Sequence, residues 1–186
     1  MMLTSKHHKA RTCEVCERVF VPDRMGQLVC RPACAMARVR NAKKAERESV
    51  KKRKEAIKTI PALIREAQVA FNAWVRARDF AQPCISCDAP PPDLSGLHAG
   101  RDAGHYRSTG SASHLRFHPD NCHAQCVKCN QWGAGMAVDY RIRLLDRIGS
   151  SRVGALETDN KPHKWTREEL TAIRDTYRQK LKEMKP

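Results

Sequence analysis

Two tetracysteine patterns constrain this chain more than anything else in it. The first is Cys13-x2-Cys16, thirteen residues, then Cys30-x3-Cys34; the second is Cys84-x2-Cys87, 38 residues, then Cys126-x2-Cys129. Thiolates two or three residues apart reach one tetrahedral ion without strain, and two such pairs close its coordination. Each quartet therefore reads as a structural Zn2+ site with no place for a catalytic water. Nine cysteines are an odd number for complete disulfide pairing, and in a reducing cytoplasm paired cysteines bind metal more often than they cross-link. Cys122, the ninth, lies four residues before Cys126 and reads as a buried thiol in preference to a substitute ligand. A cytoplasmic protein with no membrane partner is expected: Met1 to Ala10 lacks the apolar core of a signal peptide, and no eighteen apolar residues run together.

Metal staples fit the composition. Aromatic residues make up 5% of the 186 residues and charged residues 30%, too little apolar mass for one large core. Lys and Arg number 35 against 20 Asp and Glu, a formal charge of +15. That balance suits a polyanionic partner, because neutralising phosphates releases counterions. The excess is also concentrated. Ten cations between Arg38 and Lys58 face three glutamates, and Lys51, Lys52, Arg53 and Lys54 form the densest run, the expected DNA-contacting stretch.

Four segments follow: a four-cysteine zinc finger over 1–34, a basic helical linker over 35–60, an amphipathic helix with a second zinc module over 61–149, and a helical tail over 150–186. In the first, Val19-Phe20-Val21 is a short β-prone run closed by Pro22-Asp23, and the Cys-x3-Cys spacing places Cys30 and Cys34 at the start of the basic helix. Pro61 suits a first helical turn, and Leu63, Ile64, Ala67, Phe71, Trp74 and Val75 make one apolar stripe. The zinc module that follows is the nearest surface for it. Val138, Ile142, Leu145 and Ile148 predict another amphipathic helix, stopped by Gly149. Thr166 and Glu169 form a capping box, with Trp165 and Leu170 placed as a hydrophobic staple. Leu170, Ile173, Tyr177 and Leu181 are that last helix's buried side. The second quartet's layout suits a treble clef: a knuckle for the first pair, a hairpin in the insert beyond the Pro-rich loop from Ala89 to Gly96, and the second pair at a helix start. The fold class expected is α+β, built of small zinc-stabilised modules.

Chemically useful residues crowd that insert: Asp102, His105, Asn121 and His123, with Asn130 directly after the last cysteine. They suggest metal-assisted phosphodiester hydrolysis. An imidazole titrating near neutrality can deprotonate water, and Asp or Asn oxygens suit Mg2+ or Mn2+. Arg101, Arg107, Arg116 and Lys128 border these residues as natural phosphate contacts. Trp132 suits either base stacking or core packing, His123 either a ligand role or a structural one. His98, His114 and His118 read as solvent-facing loop residues.

The order Cys-x2-Cys, histidine, Asn121, Cys-x2-Cys-Asn130 resembles the His-Asn-His endonucleases with a treble-clef zinc. Asp102-Ala-Gly-His105-Tyr-Arg107, Leu115-Arg-Phe117, Gln125-Cys-Val-Lys-Cys-Asn130-Gln131 and Tyr140-Arg141 resemble the phage recombination family NinG, also called Rap. The resemblance runs from the first quartet to the last helix and is densest from Cys84 to Ile148. It implies an HNH-like ββα-metal module and structure-specific cleavage of branched DNA, including Holliday junctions and displacement loops. By the same resemblance His105 is the general base, Asn121 orients that histidine and its loop, and Asn130 ligates the catalytic metal. The generic motif has an acidic ligand just before the first histidine; Gly104 stands there, and Asp102 supplies the carboxylate. A symmetric junction invites a homodimer. The competing reading is a non-catalytic zinc module that binds DNA as a recombination accessory.

Overall fold

The computed structural model describes residues 9–91 and 100–184. The first eight residues, much of the Pro-rich loop and His98 lie outside the described residues. The chain divides into two units, residues 1–58 and 59–186. The basic helix thus belongs with the first quartet, and the C-terminal helix with the second.

In the first unit, β1 (Arg11–Thr12) and β2 (Val19–Phe20) pair antiparallel and carry the Cys13/Cys16 knuckle between them. One long helix follows, α1 (Pro32–Ala56). Pro32 at its start has no N–H to leave unsatisfied, which is why the helix opens there and not at Cys30. Cys34 is in the first turn and Cys30 just ahead of it. Cys34 is also the only buried residue of α1, so the helix presents its lysines and arginines to solvent around its circumference.

The second unit starts with α2 (Ile60–Arg78), capped by the Thr59 hydroxyl, which accepts from Ala62 N at 3.4 Å. Its predicted stripe forms: Leu63, Ala67, Phe71 and Val75 are buried, with Ile64 and Trp74 packed beside them. The main partner differs from the expectation. α2 lies chiefly along α5 (Arg167–Glu183), whose Leu170 and Tyr177 enter the same core. Phe71 and Tyr177 stack edge to face at 4.8 Å between centroids. Aromatic pairs of this geometry add about 0.5–1.5 kcal/mol beyond area burial. The capping box of α5 is present in both halves: Thr166 N donates to Glu169 Oε2 (2.8 Å), and Glu169 N to Thr166 Oγ1 (3.2 Å). Trp165 and Leu170 join the same cluster.

The insert holds an antiparallel pair, β3 (Arg101–His105) and β4 (Cys122–Cys126), in which Asp102 faces Gln125, Gly104 faces His123 and His105 faces Cys122. A short helical turn, Lys128–Trp132, then carries Cys129. It is not continuous with the next helix, because Ala134, Gly135 and Met136 are all left-handed. α3 (Ala137–Ile148) and α4 (Ser150–Thr158) close the other face of the hairpin. The α3 stripe differs from the expected one. Tyr140 and Leu144 are buried against Val153 and Leu156 of α4, Leu145 and Ile148 are partly buried, and Val138 and Ile142 face solvent. The shift is imposed by α4, a helix that the sequence pattern did not separate from the tail.

Candidate metal and nucleic-acid site

The four ligand sulfurs of each quartet lie within 4.8 Å of one another. Zn–S bonds of about 2.3 Å in a tetrahedron require sulfurs about 3.8 Å apart. Cys30–Cys34 and Cys87–Cys126 are both at 3.8 Å, and Cys16–Cys30 is at 3.4 Å. Both quartets therefore fit zinc. Amide groups prepare one thiolate in each. Burial raises the Cys13 thiol, but the N–H groups of Cys16, Val15 and Cys30 outweigh it and lower it to about 6. Burial likewise opposes, and the amides of Cys126, Cys87 and Ser86 help to lower, Cys84 to about 7; Cys126 N donates to Cys84 Sγ at 3.3 Å.

The hairpin pleat sorts the remaining candidates onto two faces, since successive strand residues point opposite ways. Asp102 and Gly104 share one face with Gln125 and His123. There the Asp102 carboxylate accepts from Asn130 Nδ2 and Gln131 Nε2, both at 2.9 Å, so the knuckle does bring Asn130 to Asp102. One carboxylate and neighbouring amides suffice for Mg2+ only where substrate phosphate and water complete the octahedron. Among the described residues no third acidic or imidazole group joins them. Gly104 cannot be replaced by the usual acid without movement. A Cβ there would overlap the Gln125 side chain, and Gln125 is held by bonds from its Nε2 to Ser86 Oγ and Gly135 O, each 2.7 Å.

Ala103 and His105 lie on the opposite face, toward α2. The His105 ring sits 6.3 Å from the Phe71 ring. Its Nε2 is 2.9 Å from Arg116 O, a bond in which the ring N–H donates, and Nδ1 faces Cys122 Sγ at 3.9 Å. Burial pushes its pKa below the usual histidine value, partly offset by the bond to Arg116 O, so the ring is neutral at neutral pH. The buried Asn121 ties this corner together: Oδ1 accepts from Arg107 N (2.8 Å), while Nδ2 donates to Arg107 O (3.0 Å) and Leu115 O (3.1 Å). It fixes the loop that delivers the Arg116 carbonyl to His105.

Several expected phosphate contacts have structural work instead. Arg107 donates to Leu156 O, Asp159 O and Asn160 Oδ1, and Arg116 to Gln68 Oε1 and Thr109 O. Lys128 is exposed, as are Lys51, Lys52, Arg53 and Lys54 on α1. Trp132 is 82% exposed, so it is no core residue. His118 faces solvent, whereas His114 is half-buried and bonds Asp159 O at 2.8 Å. Cys122 is fully buried. Sequence reasoning missed the arginines of α3 and α4; Arg143, Arg147 and Arg152 line a cavity beside His123. The four-residue spacing of Arg143 and Arg147 on α3 was the available signal.

Fold and site together define a two-unit α+β protein with two tetracysteine sites of zinc geometry and a basic helical arm. The chain belongs to the NinG family: residues 5–186 match the family described as Bacteriophage Lambda NinG protein. It is similar to Protein ninG of Salmonella phage P22, at 39% identity over 92% of this chain and 91% of that protein. Protein ninG of Escherichia phage 933W is 39% identical over 94% of each chain. That of Escherichia phage lambda is 38% identical over 91% of this chain and 90% of the other. No solved structure matches the chain. Among the described residues no helix is long and apolar enough to cross a membrane.

Proposed function

We propose that this phage protein binds branched DNA and hydrolyses phosphodiester bonds in it, using His105 as general base. The observation that carries the reading is the Asn121 clamp, which holds the Arg116 carbonyl on His105 Nε2. With Nε2–H committed there, Nδ1 is the nitrogen able to take a proton from the attacking water. The water oxygen bonds to phosphorus as the opposite P–O bond breaks, and the leaving oxygen takes up a proton. A divalent cation held by Asp102 and Asn130 would supply charge stabilisation on the phosphate. The basic face of α1 and Lys128 supply phosphate contacts, and the exposed Trp132 a stacking surface for an unpaired base. A two-fold junction suits a homodimer.

A second reading, a DNA-binding recombination accessory without catalysis, is favoured by a specific observation. His105 and Asp102 point to opposite faces of the hairpin, and Cys122 covers the proton-accepting nitrogen. The deciding experiment is a panel of linear, flap, loop and four-way junction DNA, incubated with and without Mg2+ or Mn2+. The nuclease reading expects metal-dependent cleavage of branched forms, slowed at least about a hundredfold in His105→Ala, with zinc content and DNA binding retained. Equal cleavage by the variant would remove His105 as the base, whereas no cleavage by the wild type would leave the accessory reading standing.

A further inference from the structure

A cavity of about 630 Å³ opens between the end of α2, the start of β4 and the outer side of α3 and α4. Arg78, Arg143, Arg147 and Arg152 line it, and His123, 4% exposed, forms part of its wall. It lies apart from the Asp102–Asn130 pair and from the His105 corner, and neither role above uses it.

The charges in it are arranged unequally. Arg78 is bonded through all three nitrogens, with Asp79 on Nε and Nη2 and with the carbonyls of Pro119 and Cys122. Arg143 bonds through Nε to Ser86 O and through Nη1 to Asp88, leaving Nη2. Arg152 holds Asp120 through Nε and Nη2, leaving Nη1. Arg147 donates from Nη2 to Pro83 O (3.2 Å), while its Nη1 is buried and meets no acceptor among the described residues. An unmet buried donor is costly, and more so on a charged group. Three of the four carboxylates that line the cavity are already bound by its arginines; Asp146 is exposed. The four arginines and four aspartates balance in formal charge, so what is left over is donor capacity, centred on Arg147.

His123 completes the polarity. Tyr140 Oη donates to Gly104 O (2.9 Å), so the 3.3 Å bond between His123 Nδ1 and Tyr140 Oη runs from the ring N–H to the hydroxyl oxygen. His123 Nε2 is then an acceptor with no partner among the described residues.

We propose that this cavity receives a phosphate group of the DNA backbone, bound by the free donors of Arg143, Arg147 and Arg152. His123 Nε2 accepts a hydrogen from the water that accompanies the phosphate. Planar guanidinium forks match phosphate oxygens, which a lysine point charge does not. The inference deepens the DNA-binding reading and rests on it, placing a second strand contact on the zinc module, remote in sequence from α1. Free inorganic phosphate offers the same chemistry, so the test separates the two sources.

The zinc-loaded full chain is titrated with a four-way junction and, separately, with inorganic phosphate, following the His123 imidazole nitrogens by 15N NMR. The proposal expects saturable movement of His123 with junction DNA and competition by phosphate. It also expects the slope of log affinity against log salt to fall by about one in Arg147→Gln. Arg152→Gln, at an exposed position, should lower it in the same direction should loss of Arg147 disturb the fold. If DNA binds with unchanged slope in both variants and His123 stays still, the cavity assignment is wrong while DNA binding stands. If no DNA binds to the wild type, the DNA reading itself fails. Movement of His123 with inorganic phosphate alone would then overturn DNA as the occupant.

Discussion

Asn121 and His123 straddle Cys122 at the start of β4, yet they respond to different perturbations. Asn121 makes three hydrogen bonds inside the loop and is wholly buried. Asn121→Ala strands the Arg107 N–H and two carbonyls, and should cost about 1–3 kcal/mol per buried group left unmet, less where water enters. In denaturant titration the variant should unfold earlier and, if the nuclease reading holds, lose cleavage along with His105 alignment. Asn121→Asp keeps the acceptor but sets a carboxylate oxygen against the carbonyls of Arg107 and Leu115 in a buried site, and should lose at least as much stability. His123 instead sets a pH dependence. Burial, aided by the Arg78 charge, depresses its pKa to about 4, against an ordinary value near about 6.5 for an exposed histidine. The unfolded chain therefore binds the proton first. The contribution is fully present above about pH 6.5 and is lost as pH falls from there to about 4, amounting to about 3 kcal/mol across that window. Denaturation curves at about pH 7 and about pH 4.5 should differ less for His123→Gln than for the wild type by a comparable amount. An equal pH slope in both proteins would place the acid sensitivity in the zinc thiols instead.

Elements were legible to the extent that their signals are local. The capping box of α5 and the stripe of α2 are short-range patterns, and both form as expected. The partner of α2 was not legible, because the choice between the zinc hairpin and α5, far along the chain, depends on how Tyr177 and Leu170 meet Phe71. The face sorting of Asp102 and His105 was hidden for a related reason. Linear spacing counts residues between functional groups, but the pleat of β3 decides which side each one takes, and three positions apart means opposite sides. Arg107 shows the same limit: its charge was visible and its carbonyl partners were not. For α1 the sequence was sufficient, since a helix with one buried residue has little packing to override its composition. Replacing Lys51, Lys52, Arg53 and Lys54 together with Ala should leave helicity intact, as Ala is the strongest helix former. It should weaken binding to every DNA shape and lower the salt slope by up to about 0.9 for each phosphate that the helix no longer neutralises. An unchanged slope would show that stretch to be a solvated helix face.

Across the whole molecule the two units depend on zinc to different degrees, and this follows from what each buries. Among the described residues of the first unit only Cys13, Pro22 and Cys34 are buried. Its two strands are two residues each, far short of an independently stable hairpin. The Arg38–Glu14 pair at 2.7 Å joins the knuckle to α1, but an exposed pair contributes about 0–1 kcal/mol, so the metal carries the unit, and in such modules metal-binding energy is folding energy. The second unit has its own quartet, but also the aromatic cluster of Phe71, Phe117 and Tyr177 and a second core around Tyr140 and Leu144. Cys30→Ser should therefore reduce zinc content from two ions per chain to one by elemental analysis. It should also expose the segment before α1 to protease within the first minutes of a digest, while the fragment beginning near Thr59 survives with its near-ultraviolet aromatic signal unchanged. Cys84→Ser should also hold one zinc and leave the first unit protected, but with the hairpin opened and part of the aromatic signal kept by α2 and α5. The division is refuted if Cys30→Ser melts both units together, or if the first unit resists protease after its zinc is gone.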